Sequence, residues 1–485
     1  MLAGFLLTFT TLPAVDATPD LASARRLLAA GRIEDSERLV RHSLQTVGNG
    51  NNAAVHTTLG DILFRRGSFD EAALSYRAAL AGDPARARAW WGLGRIEQAQ
   101  FRRTSARAFM ARAFGLDPRD PEIVFSYAAF MPDPASRATL LQNVVQLTRH
   151  SDLLRAEESM GQIEIDRRLF GLSQARLESP YQTYTIKLSA FQPVSSRSDG
   201  LLVPVRINGG KPLRLLLDTG ARGITISAEK ARQLQLEAVS ESRIGGLGGG
   251  VNAVIALSAL AKTISIGDLR LGNCMVEVTS EALTGGADGV IGMNLFEAFE
   301  IRLDAPARVL QLTPFTDGLP ALGNAGGTMG PWGDYDRKPA TADAPATPAY
   351  GFRHFLLVRT IVNRREGLFL LDTGSALTLL AREFAPPALW TLNAPLLHGA
   401  GGQVSDAVRL SPVTLKIAGK SYVESEPLAL DLSSFSQREG VRISGILGFS
   451  ALSKAPLSIN YRDGLVDLGS SRMVPLPDGH GSVRH

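Results

Sequence analysis

The chain has 485 residues, with 51 Lys or Arg against 47 Asp or Glu, a net charge of 51 − 47 = +4. An excess that small and dispersed excludes the footprint of a nucleic-acid binder, and 45% hydrophobic with 20% charged residues excludes a mostly disordered chain. One cysteine, Cys274, excludes an intrachain disulfide framework and a multi-cysteine metal site, and the seven histidines form no HExxH and no close pair, so neither a metal nor a cofactor is expected.

In chain order, residues 1–15 are uncharged and mostly apolar, and too short to cross a bilayer, which takes about 20 residues. Val15 and Ala17 put small residues at −3 and −1 of a cleavage after Ala17, so 1–17 reads as a signal peptide and the mature chain as exported, periplasmic or secreted. The alternative is a terminal helix. No later stretch is long and apolar enough to serve as a transmembrane span.

Residues 18–180 read as an all-α repeat array. A segment from Ala53 recurs from Ala87, and 87 − 53 = 34. In this register Leu59-Gly60 falls on Leu93-Gly94, Ala72 on Ala106, Tyr76 on Met110, Ala79 on Ala113 and Asp83-Pro84 on Asp117-Pro118. Small residues let paired helices approach closely, and proline ends the second of each pair. A degenerate copy precedes these two, shifted by 36, and another begins near Pro121 and fades after Pro134. The pattern resembles the tetratricopeptide repeat. Such an array either holds a protein or peptide partner or serves as a spacer, and its deletion is expected to leave 181–475 folded.

From residue 181 the period shortens to that of strands, at 184–191, 201–207, 213–218 and 223–227, with a hairpin over 263–278 turned at Gly267-Asp268. Similar runs recur at 354–362, 367–372, 377–380 and 413–425. Between the two sets, 323–350 is rich in Gly, Pro and Ala and reads as a linker or long loop. The β region thus divides into 181–322 and 351–475, with a tail at 476–485.

Both halves carry an apolar strand running into Asp-Thr-Gly, at Asp218 and Asp372, with 372 − 218 = 154. A single such tripeptide is an ordinary turn. The flanks add specificity: Gly292 follows Asp218 by 74 and Gly448 follows Asp372 by 76, each closing a hydrophobic-hydrophobic-Gly segment. A Gly-rich stretch begins 27 residues after each aspartate, at Gly245 and Gly399.

These residues resemble the retropepsin-like aspartic proteases over roughly 184–472. The resemblance implies two all-β lobes that form a pseudo-dimer within one chain, preceded by the repeats. It also implies an aspartic endopeptidase acting on a peptide or protein substrate. Asp218 and Asp372 would be catalytic, with Thr219, Gly220, Thr373, Gly374 and Ser375 in support. Thr219 and Thr373 would interlock, and Gly246, Gly248, Gly249, Gly399, Gly401 and Gly402 would belong to flaps over the substrate. Two close carboxylates cannot both ionise cheaply, so they share a proton, and the ionised partner can activate water. The pair titrates as a unit. Ala221 follows one motif and Ser375 the other, so only one half has a hydroxyl available near its carboxylate. His354 and His398 read as surface or loop residues, and Cys274 as a buried strand residue. The competing reading is a peptide-binding or assembly protein whose protease lobes are catalytically silent.

Overall fold

The computed structural model describes residues 21–46, 52–170, 175–192, 199–244, 254–280, 285–316, 335–337, 346–385, 390–391, 397–399, 402–404 and 406–469. The expected signal peptide, the tail and most of 323–350 lie outside them. Among the described residues, no helix is long and apolar enough to cross a membrane.

The N-terminal part is a helical array: α1 (Leu21–Ala29), α2 (Ile33–Thr46), α3 (Ala53–Arg66), α4 (Phe69–Gly82), α5 (Ala87–Ala99), α6 (Arg103–Leu116), α7 (Pro121–Ala128), α8 (Pro134–Thr148) and α9 (Leu153–Arg168). The small residues at the repeat positions act as read from the sequence. A Cβ on Gly60 would lie 2.5 Å from the Tyr76 ring, and one on Gly94 would lie 3.0 Å from the Met110 methyl. Tyr76 and Met110 are fully buried. The helices continue beyond the fading repeat, and α8 is tied to α9 by a buried Arg137–Asp166 pair with bonds of 2.6 and 2.7 Å.

The β region begins at Arg176 and is duplicated in connectivity. In the first copy, strand Leu213–Asp218 lies between Gly200–Ile207, antiparallel, and Gly289–Gly292, parallel. Ile224–Ser227 then pairs antiparallel with Gly289–Gly292 and parallel with Leu269–Thr279. The second copy repeats each step. Arg365–Leu371 lies between Phe355–Val362 and Gly445–Leu447, and Leu379–Ala381 pairs with Gly445–Leu447 and Leu428–Leu430, in the same senses. The copies are joined by a ladder in which Phe299–Asp304 pairs with Leu457–Asn460, Ile301 opposite Ile459.

Three expectations are corrected. The run 184–191 is two strands, Tyr184–Lys187 and Ser189–Phe191, which pair in different sheets. Between them Leu188 is buried and its N–H goes to the Arg308 carbonyl, so the chain changes partners there. The end of the proposed linker, Thr347–Phe352, is a strand paired with Phe355–Val362 and with Leu465–Leu468.

The third concerns the array, which shares its core with the β region, so the expectation that its deletion leaves 181–475 folded gives way to the opposite one. One continuous core runs from Ile62 and Phe69 of the array to Leu368 and Val441 of the second copy. Phe69 lies 4.7 Å from the Tyr350 ring and 5.9 Å from that of Phe352. Gly67 closes α3 at φ +86°, where a Cβ would stand 2.5 Å from Leu368 Cδ1. After α5, Phe101 covers Gly464, whose Cβ would fall 2.1 Å from that ring, and Arg103 donates to the Arg462 carbonyl at 3.1 Å. Deleting 21–168 uncovers Tyr350, Phe352 and Leu368, and the shortened protein is expected to lose the cooperative unfolding of the full chain in calorimetry. Phe69→Ala alone should cost about 3–5 kcal/mol.

Candidate active site

Each aspartate is delivered by the end of an apolar strand. Leu215, Leu216 and Leu217 are buried, as are Leu368 to Leu371, so each strand is anchored in the core where its carboxylate emerges. Behind the loops lie the two hydrophobic-hydrophobic-Gly segments. Gly292 is in register with Asp218, and the Asp372 N–H donates to the Leu447 carbonyl at 3.0 Å. Glycine is required at both segment ends by close backbone approach: a Cβ on Gly292 would sit 2.4 Å from the Ala221 carbonyl oxygen, and one on Gly448 would sit 2.1 Å from that of Leu377.

The two Asp-Thr-Gly loops face each other. The Thr219 N–H donates to Thr373 Oγ1 at 3.1 Å, and the Thr373 N–H donates to Thr219 Oγ1 at 3.0 Å. The Thr373 hydroxyl passes its own hydrogen to the Leu217 carbonyl at 2.9 Å. Both threonines are 1% exposed, so these bonds form away from competing water. Gly220 and Gly374 let the loops meet. A Cβ on Gly220 would lie 2.8 Å from the Asp372 carboxyl carbon, and one on Gly374 would lie 2.4 Å from that of Asp218.

The two carboxyls stand side by side, within reach of a mutual hydrogen bond: a Cβ on Gly220 would be 3.0 Å from Asp372 Oδ2 and 3.1 Å from Asp218 Oδ1. Burial pushes both up from the ordinary carboxylate range. The neighbouring charge and the mutual bond push Asp218 further, whereas that bond and the backbone N–H groups of Ser375 and Gly374 draw Asp372 back. Asp372 Oδ1 accepts from Gly374 at 3.0 Å and Ser375 at 2.9 Å, and Asp218 Oδ1 accepts from Gly220 at 2.6 Å. The two carboxyls therefore titrate as a unit, and one proton is shared between them.

Ser375 supports Asp372 through its backbone N–H, while its hydroxyl donates to the Leu377 carbonyl at 2.9 Å. The difference from Ala221 thus lies outside the carboxyl pair. Of the flap glycines, Gly399 and Gly402 pair in a short ladder, Leu397–Gly399 with Gly402–Val404, which also carries His398 in a strand rather than a loop. Gly246, Gly248, Gly249 and Gly401 lie outside the described residues. The hairpin leading to the first three is described, Glu237–Ile244 with Val254–Leu260. Cys274 is buried, and burial pushes its thiol up to about 12.

Two residues near the loops were not identified from the sequence. Glu424, 2% exposed, accepts from Thr378 at 3.0 Å and Ser450 at 2.7 Å, and the Thr378 hydroxyl in turn accepts the Gly448 N–H at 3.3 Å. Its sequence signal was only a charge at the end of a strand. His354, read as a surface or loop residue, does lie in a turn, and its side chain reaches across to the first loop, with Nε2 3.3 Å from the Gly220 carbonyl oxygen.

Residues 203–295 match the family model described as Aspartyl protease, and residues 60–100 match that described as TPR repeat. The search of curated proteins gives no match. Among solved structures, the chain is similar to YrrB, a TPR protein with an unusual peptide-binding site, at 15% identity over 32% of this chain and 77% of that one, with a TM-score of 0.24. It is also similar to a mutant O-GlcNAc transferase of Thermobaculum terrenum, at 24% identity over 28% of this chain and 26% of that one, with a TM-score of 0.24.

Thr219→Val and Thr373→Val preserve shape but remove the acceptor for a buried N–H, so each should cost about 1–3 kcal/mol in denaturant unfolding. Thr373→Val should cost more, because that hydroxyl makes two of the bonds. The double variant should fall short of the sum, with a coupling of about 0.5–3 kcal/mol.

Proposed function

We propose that this chain is an aspartic endopeptidase. Two retropepsin-like lobes, 181–322 and 351–475, form a pseudo-dimer in which Asp218 and Asp372 are catalytic. The observation that carries this reading is the pair of adjacent carboxyls at the meeting of two Asp-Thr-Gly loops interlocked through Thr219 and Thr373. The duplicated connectivity and the aspartyl protease match over 203–295 support it.

In this mechanism a water lies between the carboxyls. The ionised carboxylate of the pair draws a proton from it, and the water oxygen attacks the scissile carbonyl carbon. The protonated carboxyl gives its proton to the carbonyl oxygen, and the proton taken from the water then passes to the leaving nitrogen. Thr219 and Thr373 fix the separation of the two loops, and Gly220, Gly374 and Ser375 orient the carboxylates. The glycine-rich segments containing Gly246, Gly248 and Gly249, and Gly399, Gly401 and Gly402, act as flaps that cover the substrate. The array positions the second lobe and offers its remaining faces to a protein partner. Export follows if 1–17 is cleaved, which N-terminal sequencing of the mature protein would test.

The test is cleavage of an unfolded protein substrate by the purified chain. Asp218→Asn and Asp372→Asn should each lower kcat by about 10³-fold or more with the fold retained by circular dichroism. Undiminished cleavage in both variants removes the assignment and leaves the silent-lobe binding protein ahead.

The pH profile should be a bell. Activity needs one proton on the pair, so it falls in acid when the second carboxyl protonates and in base when the shared proton leaves. Because burial raises both carboxyls, both limbs should lie above those of two exposed carboxylates, with an optimum that is mildly acidic or higher.

A further inference from the structure

His354 belongs to the second β copy, yet its side chain touches the catalytic loop of the first. It sits in a two-residue hairpin between Phe352 and Phe355, which face each other in the ladder. The preceding residue, Arg353, has φ +54°, a left-handed conformation that side chains other than glycine rarely adopt. This turn directs the imidazole inward, where Nε2 lies 3.3 Å from the Gly220 carbonyl oxygen. A carbonyl only accepts, so Nε2 carries the hydrogen. The Phe355 ring packs on the imidazole, with centroids 3.9 Å apart.

We propose that His354 is a positioning residue that holds the first Asp-Thr-Gly loop from across the junction of the two copies, fixing Asp218 against Asp372. Gly220 occupies a demanding place. Its N–H binds Asp218 Oδ1, a Cβ on it would lie 2.8 Å from the Asp372 carboxyl carbon, and its carbonyl oxygen meets His354 Nε2. Holding that carbonyl sets the plane of the peptide that follows Gly220 and limits rotation of the loop. The imidazole is suited to this because it stays neutral. Burial, then the Arg222 charge and, more weakly, Arg353 lower its pKa to about 3, against the opposing effect of the bond to Gly220. A neutral donor binds the carbonyl without placing a positive charge beside the shared proton.

The anchor is itself braced. Arg353 pairs with Glu158 of α9 and with Glu439, each at 3.7 Å. The histidine therefore stands on a turn held by the helical array on one side and by the second copy on the other.

The proposal rests on the aspartic protease reading only for its kinetic consequence, and the experiment separates the two. His354→Phe retains a ring without a donor, and His354→Gln retains an N–H of similar reach. Full-length variants are compared by peptide hydrolysis, thermal unfolding and amide hydrogen exchange over 217–223. His354→Phe should lower kcat by about 10–100-fold with KM within twofold and should speed exchange in 217–223. His354→Gln should recover most of both, with thermal midpoints close to wild type. If His354→Phe does not fold, His354→Met takes its place as the donorless side chain. Equal kcat and equal exchange in the donorless and Gln variants overturn the proposal, as does a loss spread evenly over exchange in both β copies. If wild type cleaves no peptide while exchange in 217–223 still follows the donor, the protease reading fails and the anchor stands.

Discussion

Two carboxyl groups in hydrogen-bond contact repel strongly once both ionise, and burial sharpens the repulsion. Asp218 and Asp372 are kept in this relation by backbone geometry rather than by their own attraction. Threonine hydroxyls cross between the loops, and glycines allow approaches that any side chain would block. Hydrophobic-hydrophobic-Gly segments press on the loops from behind, within a core that does not yield by an ångström without cost. Asp218 and Asp372 can share a proton because the surrounding residues leave them no room to separate.

The two halves are copies in connectivity but not in chemistry. Asp372 receives two backbone N–H bonds, from Gly374 and Ser375, while Asp218 receives one from the Gly220 of its own loop and faces the charge of its partner. Behind the second loop lies the Glu424–Thr378–Ser450 network; behind the first, the Asn294 side chain accepts the Gly223 N–H at 2.9 Å. A homodimer would have identical surroundings for its two carboxyls. Within one chain the surroundings can differ on each side, as they do here.

Where the information was local or repeated, it could be read from the sequence. The 34-residue period matched Gly60 with Gly94 and Tyr76 with Met110, which the structure packs as Gly60 against Tyr76 and Gly94 against Met110, and the matched spacings around Asp218 and Asp372 identified the two loops the structure brings together. Information carried by nonlocal partners could not be read in this way. Leu188 marks a change of sheet only because the Arg308 carbonyl lies opposite, and Thr347–Phe352 forms a strand despite its Pro-containing composition because an edge next to Leu465–Leu468 is open to it. Phe64, Phe69, Tyr350 and Phe352 each look like ordinary core aromatics, and nothing in their local sequence says that they pack together. His354 is a single imidazole with no motif around it, and its partner is a backbone carbonyl 134 residues away.

The array therefore bears on the site as well as on solvent. Helices α3 and α5 and the turns that follow them are applied to the second copy, and Arg442 of that copy donates its backbone N–H to the Arg65 carbonyl at 2.7 Å. Helix α9 touches both β copies. Glu158 pairs with Arg353 beside His354, and Gly161 lets α9 approach strand Glu237–Ile244, where a Cβ would lie 3.3 Å from the Glu241 carbonyl oxygen. That strand is one arm of the hairpin it forms with Val254–Leu260. One rigid element thus abuts the hairpin and braces the turn that holds Gly220. A shift of α9 would be felt at both places together, because close-packed contacts transmit displacement rather than absorb it. The core shared with the second copy is built from α1 to α5, so α9, beyond the point where the repeat pattern fades, meets the β region instead through Glu158 and Gly161.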